Sequence, residues 1–248
     1  MMKKLLLIWF FVGMALCISA QKVDFASSVE FDSELYASIL FHTNGWGISA
    51  TKAKHRNEGK KWLFTAELVT FKHLKEEKRL NPYVDNTKKY VYGKLNYFTV
   101  FRPSIGQQKI IYAKGSKLGV QVAINYNIGA SIGFTRPVYL EILYPSVLGR
   151  PEGSTPSSEA YNPDIHNPEM ILGRDTYFRG FNQTKVYPGI HWKVGFNFDY
   201  ASESTLVRGI ETGLAFDAYL KKIPLMAFAH NQRFFVTGYM SFHFGKKQ

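Results

Sequence analysis

Beyond residue 20 this chain has no cysteine; the single one is Cys17. That removes disulfides, thiolate nucleophiles and cysteine metal sites from everything that follows. Also missing, after residue 20, is any apolar run of the roughly 20 residues that a spanning helix needs. No helical period matches the alternating segments in length. Acidic residues are scarce, 19 against 31 Lys and Arg, for a formal charge of +12. Much of the excess lies in residues 51–61 (TKAKHRNEGKK) and 73–80 (HLKEEKRL). Such runs suit solvated loops or a basic rim facing lipid phosphates.

The first twenty residues are of another kind. Lys3 and Lys4 precede an apolar run from Leu5 to Ile18, and Ser19-Ala20 stand before Gln21. This is the form of a secretory signal, too short to span a bilayer. A lipoprotein needs a small residue before its cysteine, and Leu16 is there, so Cys17 goes with the removed peptide. Export argues against a nucleic-acid partner. Residues 21–248 fit a single domain.

What the chain has in quantity is alternation. Between Ile190 and Tyr200, Trp192, Val194, Phe196, Phe198 and Tyr200 occupy even positions, while His191, Lys193, Gly195, Asn197 and Asp199 occupy odd ones. A period of two is a β-strand with one apolar and one polar face. The pattern recurs in Leu35–Phe41, Trp62–Leu68, Leu118–Tyr126, Val138–Tyr144, Ile210–Leu220 and Val236–Phe244. Aromatics reach 16% while mean hydropathy is −0.17, the mixture that half-apolar membrane strands give. The expected fold is all-β: a transmembrane antiparallel up-and-down barrel of about ten strands, within a range of about 8–12. The strands are expected at 34–42, 46–55, 61–74, 91–104, 107–114, 117–127, 130–144, 186–201, 205–221 and 231–245. Turns are expected at Asn44-Gly45, Glu58-Gly59, Lys114-Gly115-Ser116, Asn127-Ile128-Gly129 and Ser202-Glu203-Ser204. An even count with both ends in the periplasm puts the long connections 75–90 and 145–185 outside.

The composition of the polar rows says which face is which. They carry Gly119, Ala123, Gly129, Ser131, Gly133, Gly209, Gly213 and Ala215, small residues suited to a crowded interior. Their charged members, Glu141, Lys193, Asp199, Glu211 and Asp217, come in both signs and form an expected lumen network, with Lys193 in reach of an acid. The apolar rows then face lipid. Trp62, Tyr97, Tyr126, Tyr144, Trp192 and Tyr200 stand toward strand ends, as interfacial girdles do.

The last strand, Thr237-Gly238-Tyr239-Met240-Ser241-Phe242-His243-Phe244, resembles the terminal strand of Gram-negative outer-membrane barrels. It departs in the step of its polar-Gly pair and in the four residues that follow Phe244. The resemblance implies an outer-membrane location, lipid neighbours and the barrel-assembly machinery as a partner during biogenesis. It names a broad class and no activity.

Three groups could carry chemistry. His42-Thr43-Asn44-Gly45-Trp46 loosely resembles the His-x-Ser-Asn run of outer-membrane lipid A deacylases, with Thr in place of Ser; a hairpin beside an anchoring Trp46 explains it as well. Ser241 and His243 share a polar face and could be oriented by Glu211 or Asp217. Asp164, His166 and Glu169 cluster in an Asn-Pro-rich loop, where exposed acids are ordinary; no metal or other cofactor is expected. Two functions stay open. One is a structural, accessory or loop-binding barrel with a filled, narrow lumen, the loop 145–185 being the binding element. The other is a membrane-embedded lipid hydrolase or a narrow pore.

Overall fold

The structure, a computed structural model, describes residues 31–57, 59–82, 87–114, 119–144, 156–201 and 205–248. The expected signal segment, residues 145–155 of the long connection and the turn at 202–204 lie outside the described residues. Eight strands close into a barrel: β1 Ser33–His42, β2 Gly45–Asn57, β3 Lys60–Phe71, β4 Asn96–Tyr112, β5 Gln121–Pro137, β6 Lys185–Asp199, β7 Leu206–Tyr219 and β8 Phe234–Lys247. Each pairs antiparallel with its sequence neighbours, and β1 pairs with β8 to leave no edge. Full closure satisfies the backbone within the wall, as a lipid setting demands.

Eight is the lower bound of the expected range, and two elements account for the difference. Residues 96–112 run as one strand, as do residues 121–137, through the places where breaks were expected. Gly129 faces inward directly opposite Ser104, and a Cβ there would sit 2.7 Å from the Ser104 Cβ. The glycine answers a close approach of two strands, a need that resembles a turn signal in sequence. Gly59, by contrast, does mark a hairpin: its φ of 81° lies in the left-handed region. Because both merged pairs lost one break each, the sides of the connections are as expected.

Register fixes the tilt. From Leu35 the cross-strand partners run Lys52, Phe64, Ile105, Ile128, Trp192, Phe216 and Val236. Phe41 pairs with Met240, so Val236 faces a point four residues past Phe41, ten past Leu35. A shift of ten on eight strands corresponds to a tilt of roughly 40°.

The outward rows are apolar. Leu35, Ile39, Phe41, Ile48, Phe64, Leu68, Ile128, Trp192, Phe196, Leu214, Met240 and Phe244 are all exposed, and the alternate residues are buried. No Asp or Glu occurs on any outward row. Three connections at the end bearing both termini are short, 58–59, 113–120 and 200–205. At the other end, 43–44 is a tight turn, whereas 72–95, 138–184 and 220–233 are long.

The long connections form a folded cap. Tyr139–Ile142 pairs with Ser157–Ala160 and with Ile171–Arg174, and Lys78–Arg79 pairs with Tyr90–Val91. Tyr90, Val138, Leu140, Ile142, Tyr161 and Ile171 make its core. The Asn81 amide ties the segments by donating to the carbonyls of Glu169 and Ile171, both at 2.9 Å.

Candidate functional site

The inward rows build a layered interior. Uppermost, Phe71, Phe98, Val100, Tyr219 and Phe235 meet, and Ile223, Leu225 and Met226 from the connection 220–233 close over them. Asn231 shapes that closure: its side-chain oxygen accepts from the Leu225 and Met226 amides, at 2.8 and 3.2 Å, and its amide donates to the Met226 carbonyl at 3.0 Å. Asn96 Nδ2 donates to the Pro224 carbonyl at 2.7 Å, pinning the plug to β4.

Beneath the plug lies a chain of charges crossing the barrel. Arg102 of β4 donates from Nε and Nη2 to the two Asp217 oxygens of β7, at 3.0 and 2.6 Å. This is the two-pronged geometry that makes guanidinium–carboxylate contacts strong. Ser131 Oγ donates to the same carboxylate at 2.8 Å, and His191 Nδ1 lies 3.1 Å from it. Arg102 Nη1 reaches Glu67 of β3 at 3.4 Å, and Lys193 Nζ of β6 donates to Glu67 at 2.6 Å. Lys193 also stands 3.3 Å from Glu211, which accepts from Tyr239 at 2.5 Å and Asn125 at 2.7 Å. His243 Nε2 is 3.5 Å from Glu211, and Ser38 Oγ lies 2.7 Å from the other ring nitrogen. Every charged member is at most 6% exposed at its side chain. Buried charges persist only when paired and hydrogen-bonded in this way.

Below it, Lys61 pairs with Glu34 at 2.8 Å, and His55 lies 3.3 Å from the same carboxylate. Between these layers is a cavity of about 10 Å³ lined by Tyr36, Gln108, Asn197 and His243 among others, room for about one water.

Among the residues singled out from sequence, Lys193 and Glu211 lie 3.3 Å apart, and Asp217 is linked to them through Arg102 and Glu67. Glu141 does not: it lies on the cap strand Tyr139–Ile142, where Lys88 donates to it at 2.6 Å. The alternation of Val138–Tyr144 continues past the barrel rim, so period alone could not reveal that the chain had left the wall. Asp199 points inward but ends β6, and its partner is Lys114, at 3.0 Å, near the terminal rim. Glu67 and Arg102, central to the network, are not among those residues. Arg102 was legible, since it stands alone as a cation between Phe101 and Pro103 on the polar phase of β4. Glu67 likewise is the one acid on the inward phase of β3.

The candidate nucleophiles fare differently. Ser241 is 1% exposed and its hydroxyl has no partner among the described residues. His243 turns to Ser38, not to Ser241. His42 packs its ring 4.8 Å from that of Phe71, and its Nδ1 accepts from the Asn44 amide at 3.3 Å, which is the hairpin arrangement. His166 is turned onto its own segment, 3.1 Å from the Asn162 amide and 3.3 Å from Glu159, and no other described His, Cys, Asp or Glu joins it in a group of three suited to a metal.

No protein-family model and no curated protein matches this chain. Among solved structures it is similar to Neisserial surface protein A, at 9% identity and a TM-score of 0.40, over 90% of this chain and 100% of that one. It is similar also to Ail, the attachment invasion locus protein of Yersinia pestis, at 10% identity and 0.40, over 89% and 100%. A second structure of Ail, in complex with the heparin analogue sucrose octasulfate, gives 10% and 0.38, over 87% and 95%. The chain described here has the architecture of the broad class of Gram-negative outer-membrane barrels: antiparallel, closed, short-turned at the terminal end and long-looped at the other.

Proposed function

We propose that this chain is an integral outer-membrane barrel closed through its centre, serving as a structural or accessory protein whose outer cap binds a partner. The observation that carries the reading is the chain of pairs from Asp217 through Arg102, Glu67 and Lys193 to Glu211, lying under an apolar plug. A barrel built to pass solutes keeps its midsection open. Here chemistry, if any, belongs at the surfaces. The exposed apolar rows and the signal-like residues 1–20 support the outer-membrane location, and the Thr237–Phe244 strand supports handling by the assembly machinery.

The cap is the recognition candidate. On its described residues twelve Lys and Arg stand against seven Asp and Glu, which favours an acidic partner. Phe178, Phe181, Ile165 and Phe228 are exposed there and offer apolar contact. The part of 145–185 that is described folds into the three-stranded cap sheet, a platform of the kind functional loops use. Ser38, His243 and Glu211 do line up, but all three are buried under the plug, which disfavours the hydrolase reading.

Reconstitution in planar bilayers tests the core of the proposal. The expected result is no stepwise conductance, together with flotation of the folded chain with vesicles and a heat-dependent gel shift. Reproducible conductance steps would end it. Acyl release from lipid A by the wild-type chain, lost in Ser38→Ala, would install the hydrolase in its place.

A further inference from the structure

The exposed charges of the outward rows stand at one end only, and are of one sign. Lys52, Lys54 and Arg56 of β2, Lys60 of β3, Lys109 of β4, Arg208 of β7 and Lys246 of β8 are all exposed on the outward phase near the termini. With the register and tilt given above, they fall within about 10 Å of one another along the barrel axis. At the opposite end the outward rows hold one cation, Arg136, which is buried among Tyr97, Tyr177 and Phe181. Among the described residues none of the seven makes an ion pair, whereas Lys61, Arg102 and Lys193 on the inward rows all do.

Two details point to an anion that the described residues do not supply. Lys60 and Lys109 are direct cross-strand partners on the same exposed face, an arrangement that is unfavourable without a counter-charge between them. Lys52 and Lys246 flank Leu35 from either side, again with no acid near on the row. Apolar and aromatic side chains border the cations directly: Trp62 is the partner of Lys54 and lies 5.6 Å from the Arg56 guanidinium, and Phe244 precedes Lys246 on the outward row. Long basic side chains next to interfacial rings place their charges at the level of lipid phosphates.

We propose that this collar binds the phosphates of anionic phospholipids in the leaflet on the side of the termini, Lys60 and Lys109 sharing one headgroup. The proposal rests on the membrane-barrel reading and adds a lipid class and an end. It also gives the barrel an electrostatic sense of direction in the bilayer, since the other outward rim lacks a comparable set.

Spin-labelled lipids test it. The full chain is reconstituted in phosphatidylcholine vesicles containing spin-labelled phosphatidylglycerol or phosphatidylcholine, and the motionally restricted fraction gives their relative association. The expected result is a several-fold preference for phosphatidylglycerol, falling toward one in 1 M salt. In the variant Lys52→Gln/Lys54→Gln/Lys60→Gln/Lys109→Gln the preference should fall likewise, with the heat-dependent gel shift retained. Changing Lys72 and Lys75 of the cap to Gln should leave it intact. No preference in the wild type, a preference untouched by the collar variant, or one abolished by the cap variant would each overturn the proposal. Should the collar variant fail to fold, the salt series on the wild type decides alone. If neither lipid is restricted and the chain stays out of the vesicles, the membrane reading itself fails.

Discussion

Arg102 is the residue on which most of the interior depends. It holds both oxygens of Asp217, touches Glu67 and lies over the Phe71 ring at 5.3 Å, joining the polar layer to the plug. Arg102→Met leaves two buried carboxylates short of a cation and should cost about 3–5 kcal/mol. Lys193→Met should cost a similar amount, because Glu67 and Glu211 lose their shared partner. Urea midpoints in lipid vesicles measure both, and a loss under about 1 kcal/mol in each would mean the pairs are idle. The outward face gives the complementary expectation. Arg at Leu214 or Ile128, both exposed near mid-height, should cost about 2–4 kcal/mol, and Arg at Phe244, close to the collar, about 0–1. Equal penalties at the three positions would contradict a bilayer around this barrel. These orientations were legible in the sequence because one residue of slip would exchange every lipid-facing side chain for a lumen one. The pairing itself was not. Alternation assigns a face to Lys193, but its partner Glu67 lies 126 positions away, on a strand that is no neighbour of β6.

At the scale of elements, strand content was readable and strand ends were less so. Gly106 and Gly129 resemble breaks in sequence and instead sit inside β4 and β5, while the apolar alternation of Tyr139–Ile142 belongs to the cap. The cap was opaque because its folding relies on single side chains such as Asn81, whose bonds to Glu169 and Ile171 reach from one connection to another. One of its anchors responds to acid. Burial alone would raise the Asp175 carboxyl, but hydrogen bonds from Ser158 Oγ and the Thr176 amide, and the nearby Arg179, outweigh it and hold the group below the ordinary range. A carboxylate lowered in the folded state contributes fully above its unfolded value, about 4, and the contribution fades as pH falls through the lower folded value. The turn after Asp175 should therefore loosen in that acid window while the barrel persists. Amide exchange at Thr176 reports it; the reverse trend, firmer in acid, would show that the bonds do not hold the turn. Asp175→Asn should remove most of the acid response.

For the whole molecule, the wall and the interior are not independent. Arg102 and Asp217 are 115 positions apart, and Lys193 and Glu67 are 126 apart. Such pairs join strands three places apart in the sheet, so they form only once the ribbon has curled far enough for β3 and β4 to face β6 and β7 across the lumen. Until then four carboxylates that will be buried on the inner face, Glu34, Glu67, Glu211 and Asp217, are each unable to discard water without a partner. Barrel closure and charge neutralisation must thus coincide. The inner network acts as a checkpoint on folding: a partly closed sheet gains little from any one pair, and release of the last water rewards only the complete ring. Unfolding should then be steep and free of half-open forms, and a refolding rate limited by closure should slow in Arg102→Met far more than in Leu214→Ala, whose side chain meets lipid long before the ring is shut.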